Sequence, residues 1–166
     1  MTNPPYSHNN PDPAYRYGIG IILFNRQGLV LIAERLDNPG AWQLPQGGID
    51  VNETPAMAVF REMEEEIGTR NATIIHIMAE WIDYEFPAHA RHKLFDGKYL
   101  GQRQQWIALR FLGADNDIRL DAHSHPEFSR WKWVTIHEVL DHAVPFKRGV
   151  YERVIKEFAS YAVDAP

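Results

Sequence analysis

Four glutamates crowd the short stretch "REMEEEIG" (61–68): Glu62, Glu64, Glu65 and Glu66. Like charges three or four residues apart weaken an isolated helix, so the run calls for a positive partner. Glu62, Glu65 and Glu66 stand at i, i+3 and i+4 and offer only oxygen ligands. That is the donor set of a hard divalent cation such as Mg²⁺, which keeps part of its water and bridges carboxylates to substrate phosphates. The chain has no cysteine, which removes thiolate zinc sites, disulfides and a cysteine nucleophile together. The competing reading is a solvated acidic face, the usual meaning of a charge run. Two neighbouring features weigh against it. Gly47 and Gly48 precede the glutamates in a loop where backbone can approach phosphate closely. Glu53 and Arg61 carry opposite charges and can clamp that loop onto the helix.

Such a cluster needs a rigid carrier. Helical periodicity runs from Thr54, an N-cap followed by Pro55 at the first helical position, to the C-cap Gly68. At about 100° per residue, Ala56, Val59, Phe60, Met63 and Ile67 form a core face. Glu62, Glu65 and Glu66 share the neighbouring arc, and Glu64 points away to solvent. "YGIGIILF" (17–24) and "LVLIAER" (29–35) read as strands joined by a turn. "NPGAWQLPQGG" (38–48) reads as a loop broken by its prolines and glycines. "ATIIHIMAEWIDYEF" (72–86) reads as a long strand or strand pair, and "RQQWIALRFLG" (103–113) and "WKWVTI" (131–136) as further strands. "VPFKRGVYERVIKEFASYA" (144–162) reads as a final helix with Val150, Val154, Ile155 and Phe158 on its apolar face. Strands, helix, strands, helix predict a mixed sheet covered by helices.

The 166 residues suffice for one domain with its own core, expected over 15–163. The polar, proline-rich start "MTNPPYSHNNPDPAYR" predicts a disordered arm over 1–14. It lacks an apolar signal core, and no apolar run approaches a membrane span, so the expectation is a cytoplasmic protein without membrane contact. The net charge of −5 excludes bulk attraction to nucleic acid. Contact with a polyphosphate must then be local, through a metal ion or a small basic cluster. No segment points to an obligate protein partner.

Gly47, five residues, Glu53, seven residues, then Arg61-Glu62-Met63-Glu64-Glu65-Glu66-Ile67-Gly68-Thr69 resembles the Nudix box, G-x5-E-x7-R-E-U-x-E-E-x-G-U with U bulky and aliphatic. Thr69 departs from the pattern at a packing position. The resemblance implies an α/β/α sandwich on a mixed β-sheet, with a catalytic loop-helix-loop over 47–69. It implies that Glu62, Glu65 and Glu66 hold Mg²⁺ or Mn²⁺ and that Glu53 and Arg61 are a structural pair. The implied reaction is hydrolysis of a nucleoside diphosphate linked to another group. A metal would lower the pKa of a bound water, and a carboxylate, one of the box glutamates or Glu127, would take the proton.

"WQLPQGGI" (42–49), "PEFSRWKWV" (126–134) and the segment from Val144 extend the likeness to bacterial RNA 5′ pyrophosphohydrolases and asymmetric dinucleoside polyphosphate hydrolases. In that subgroup a glutamate before "F..W.W", here Glu127, adds a metal ligand or base. The substrate implied is a triphosphorylated RNA 5′ end, a dinucleoside polyphosphate such as diadenosine tetraphosphate, or both. The stretch 81–111 carries Lys98, Tyr99 and Gln102 in the pattern of the dinucleoside polyphosphate branch, and Arg91 to Lys98 form a basic patch suited to phosphate. Tyr84 and Tyr99 are candidates to stack a base, Gly47 to approach phosphate, and Arg35 and Lys147 to reach it. The alternatives are a nucleoside triphosphate or ADP-ribose pyrophosphatase, and a nucleotide-sensing module that does not cleave.

Overall fold

The computed structural model describes residues 12–165. Most of the expected arm lies outside the described residues. Its last three residues form a turn, in which the Ala14 amide donates to Asp12 Oδ1 at 3.0 Å.

The central strand β1 (Tyr15–Phe24) is buried on both faces from Tyr17 onward. A strand covered on both sides reads as a continuous apolar run rather than an alternating one, and "IGIILF" is that run. β1 pairs in parallel with β6 (Gly101–Phe111), from Tyr15 opposite Gly101 to Phe24 opposite Arg110. β6 pairs antiparallel with β5 (Ala72–Glu85). On its other side β1 meets β2 (Val30–Arg35) and β4 (Gln46–Gly48), and β2 pairs with β3 (Trp42–Gln43) and β7 (Phe128–Val134). The sheet is therefore mixed, with seven strands among the described residues. The long segment from Ala72 is one strand broken by two register shifts, after Ile74 and after Ile77. The stretch 38–48, expected to be loop throughout, contributes β3 and β4. Its prolines and glycines limit each strand to two or three residues but do not prevent pairing.

Helix α1 (Pro55–Ile67) covers one face, where Val59, Met63 and Ile67 pack against Ile19, Ile21 and Leu23. Each such fully buried side chain contributes about 1.5–3 kcal/mol. Thr54 Oγ1 accepts from the Met57 amide at 3.2 Å, and Gly68 closes the helix in the left-handed region at φ 76°. Ala58 is buried where Ala56 was expected to be, so the core face is turned slightly from the ideal wheel. Helices α2 (Val139–His142) and α3 (Arg148–Phe158) cover the other face. There Val150, Tyr151, Val154 and Phe158 pack with Ile22, Phe24 and Trp106. The expected final helix over 144–162 is shorter, because single 3₁₀ turns, Pro145–Lys147 and Ala159–Tyr161, flank α3. The layers are helix, sheet, helix, and one cavity opens where β4, α1 and the β5–β6 connection meet.

Candidate active site

The cavity encloses about 940 Å³. One wall is acidic. Glu62 and Glu66, one turn apart on α1, are buried at 8% and 6% exposure, and Glu65 sits on the rim. Glu127, held at the end of β2 where the Leu36 amide donates to its carbonyl at 2.9 Å, completes the wall. Gly47 lies so close that a Cβ there would stand 1.9 Å from the Glu62 carboxyl carbon. Any side chain at Gly47 would displace that acid.

Arg61 organises the wall from behind. Its Nε donates to Glu53 Oε2 at 2.7 Å, and its Nη2 donates to Glu53 Oε1 and to the Gly48 carbonyl, both at 2.8 Å. Its Nη1 donates to Glu62 Oε1 at 2.8 Å and to Glu65 Oε2 at 3.2 Å. One guanidinium thus ties the 48–53 loop to α1 and offsets two of the repelling carboxylates. Glu64 points to solvent and meets Arg70 at 3.5 Å.

The electrostatics are those of a wall short of positive charge. Burial pushes the Glu62 carboxyl up to about 7 despite Arg61. Burial, then Glu127 and Glu62, push Glu66 well above the usual carboxylate range. Glu66 Oε2 is enclosed and has no hydrogen-bond partner among the described residues. A buried carboxylate oxygen without a donor is costly, and an oxygen-binding dication would remove that cost. The four acids fit a hard divalent cation in donor type, burial and charge. Among the described residues no three acidic or histidine side chains are grouped closely enough to enclose an ion as they stand. Glu62 and Glu65 lean on Arg61 while Glu66 lies against Glu127. The helix phase turns Glu62 and Glu66 inward and leaves Glu65 at the edge.

Cations and amides face this wall. Arg16 stands over the Phe95 ring, 4.4 Å from its centroid, and its Nη1 donates to Gln102 Oε1 at 3.4 Å. Arg35 lines the cavity while forked onto Asp37 at 2.7 Å for both bonds. Lys147 is 6% exposed and donates to Gln43 Oε1 at 3.1 Å and Gln46 Oε1 at 3.4 Å. Burial, aided by Arg35, lowers its ammonium to about 8.

Of the residues expected to bind substrate, Gly47, Arg35, Tyr84, Gln102 and Lys147 line the cavity, and Lys98 and Tyr99 do not. Phe95, Asp96 and Gly97 all have positive φ, and this kink sends Phe95 into the cavity and Lys98 outside it. Lys98 lies over the ring of the half-buried Tyr99, at 5.2 Å. Tyr84 is not a free stacking face either: it is 7% exposed, and its hydroxyl accepts from Gln102 Nε2 at 2.9 Å. The more exposed aromatics at the cavity are Phe95 at 42% exposure, whose ring is already covered by Arg16 and stacked on Phe86, and Phe146 at 41%. Sequence reasoning missed both, together with Arg16, Gln43 and Gln46. Arg16 lies just before the strand read from the sequence, and Gln43 and Gln46 lie in a stretch read as loop, so nothing in the spacing places them in the cavity.

The profile of the NUDIX domain matches residues 14–154. The chain belongs to the NUDIX domain family. Nudix hydrolases generally need divalent cations, in keeping with the acidic wall. The RNA pyrophosphohydrolase of Rhodospirillum rubrum is 53% identical over 152 residues, covering 92% of this chain and 92% of that protein. The protein of the same name from Acidiphilium cryptum is 51% identical, covering 89% and 92%. Among solved structures, the E. coli dihydroneopterin triphosphate pyrophosphohydrolase superposes with a TM-score of 0.65 at 20% identity, over 87% of this chain and 99% of that one. The C. elegans Ap4A hydrolase binary complex gives 0.62 at 19%, over 87% and 98%. These two likenesses establish the Nudix fold. No helix among the described residues is long and apolar enough to cross a membrane.

Proposed function

We propose that this protein is a pyrophosphohydrolase that cuts the phosphoric anhydride chain of 5′-triphosphorylated RNA, releasing pyrophosphate, with dinucleoside polyphosphates such as diadenosine tetraphosphate as a second substrate class. The observation that carries the reading is the buried Glu66 oxygen without a hydrogen-bond partner among the described residues, set among Glu62 and Glu127 in one cavity with Arg16, Arg35 and Lys147. The names and coverage of the R. rubrum and A. cryptum relatives support the RNA end as substrate.

Glu62, Glu65, Glu66 and Glu127 would hold the ion, Mg²⁺ first by donor type and Mn²⁺ as its substitute. Bound there, the ion would neutralise anhydride charge and would make a water acidic enough to ionise near neutral pH. The rest falls to the chain. Arg16, Arg35 and Lys147, which line the same cavity, orient the polyphosphate. One carboxylate among Glu65, Glu66 and Glu127 takes the proton of the attacking water. Phe146, exposed at the rim, offers a face to a base. Glu53 and Arg61 keep β4, with Gly47, against α1. We read residues 15–163 as the acting domain and the cytoplasm as its place.

The test is pyrophosphate release from triphosphorylated RNA, beside diadenosine tetraphosphate and ADP-ribose at equal metal. The expected order puts RNA or the dinucleotide first, and release collapses in Glu65→Gln and Glu66→Gln while circular dichroism is unchanged. Full activity in both variants overturns the reading. Fastest turnover of ADP-ribose or a free nucleoside triphosphate favours that alternative, and nucleotide binding without release favours a sensor.

A further inference from the structure

The β5–β6 connection, residues 86–100, has two sides of different character. Pro87, His89, Ala90, Leu94 and Phe95 line the cavity. The outward side carries Arg91, His92, Lys93 and Lys98, with Asp96 the one acid in the segment, on a chain whose net charge is −5. Arg91 is occupied at the base, donating to the Phe86 carbonyl at 3.3 Å and facing Glu85 at 3.9 Å. The lysines are not. Among the described residues neither the Lys93 nor the Lys98 ammonium makes an ion pair, and Lys98 rests on the Tyr99 ring. Several arginines elsewhere are paired with acids, Arg103 with Asp83, Arg130 with Glu34, Arg148 with Glu152 and Arg153 with Glu80, whereas within the 91–98 segment the two lysines stand close together without one. The acids of α1 near the cavity already meet cations, Glu65 with Arg61 and Glu64 with Arg70. A polyanion leaving the cavity meets free positive charge at Lys93 and Lys98.

We infer that the outward face of residues 91–98 is the track for single-stranded RNA beyond the reacting end, with Lys93 and Lys98 contacting the phosphates that follow the first nucleotides. This rests on the activity proposed above and deepens it. A dinucleoside polyphosphate ends inside the cavity and has no chain to lay on the track. The track therefore separates the two substrate classes, and it is electrostatic, so it reads backbone and not sequence.

The test pairs binding with turnover. Anisotropy in metal-free buffer compares triphosphorylated RNA of about two and about twelve nucleotides, a span of the order of single-strand site sizes. The proteins are wild type, Lys93→Glu and Lys93→Glu/Lys98→Glu. Wild type is expected to bind the longer RNA about fivefold to tenfold more tightly, and the double variant to lose that advantage. The slope of log affinity on log salt should fall by about 0.7 for each phosphate contact removed. Lys93→Glu should hydrolyse diadenosine tetraphosphate at the wild-type rate. Equal affinity for both lengths in wild type, an unchanged advantage in the double variant, or a parallel loss on diadenosine tetraphosphate overturns the track. Length-dependent binding by a wild type that hydrolyses neither substrate supports the track and overturns the activity instead.

Discussion

The two walls of the cavity are built by opposite means. The acids Glu62, Glu65 and Glu66 come from little more than one turn of α1, with Glu127 added from one loop. The cations come from separated places: Arg16 on β1, Arg35 at the end of β2 and Lys147 just before α3. Repulsion on the acidic side is relieved inside the motif by Arg61, whereas Lys147 hydrogen-bonds to the neutral amides of Gln43 and Gln46 and sits where burial opposes its charge. A wall carried by one element is rigid and local. A wall assembled from three depends on the whole sheet.

Variants of each wall test that difference. The largest effect is expected from Glu66→Gln, which keeps the shape and removes the charge. Steady-state turnover should fall by about 10³-fold, within the range of positioned acid–base groups, with an unchanged melting temperature or a higher one. Gly47→Ala comes next, because its Cβ meets the Glu62 carboxyl. Turnover should fall about 10²-fold from displaced geometry, with about 1–3 kcal/mol of stability lost to overpacking in urea melts. Arg61→Ala removes the clamp, whose side chain is 26% exposed. Denaturation should show about 2 kcal/mol of lost stability, below the range for fully buried pairs; an unchanged midpoint would mean that the loop and α1 hold together without it.

Lys147→Met sharpens the contrast from the other side. Removing a buried ammonium should raise stability by about 1–2 kcal/mol while weakening substrate binding about tenfold. The pH dependence has a definite sign. The ammonium is lowered from 10.5 to about 8 in the folded protein. The unfolded chain therefore binds more protons between those values, and wild-type stability rises across that window as the burial penalty is relieved. Melting temperatures at neutral and at alkaline pH should show the gap between variant and wild type narrowing as pH rises. A constant gap contradicts the buried-charge account.

The same contrast explains what the sequence revealed. Glu53, Arg61, Glu62 and Glu66 were legible because their geometry follows from spacing on one helix and its leading loop. The caps Thr54 and Gly68 were legible for the same reason. Glu65 was half legible: its arc is right, but docking of α1 on Ile19, Ile21 and Leu23 sets the helix phase and leaves it at the rim. Lys98 and Tyr99 failed as cavity residues because Phe95 adopts positive φ together with Asp96 and Gly97, and a phenylalanine gives no signal for that. β3 and β4 were hidden because two or three residues show no periodicity, and their pairing comes from neighbours far along the chain. Phe146 became visible only when the segment before α3 was placed beside β4.

The central claim is that α1 and Glu127 form a seat for a dication, and Mn²⁺ binding followed by electron paramagnetic resonance tests it without any substrate. The account predicts saturable binding by the wild type and affinity at least about tenfold weaker in Glu66→Gln, with Lys93→Glu binding as the wild type does. Equal Mn²⁺ affinity in wild type and Glu66→Gln would contradict it.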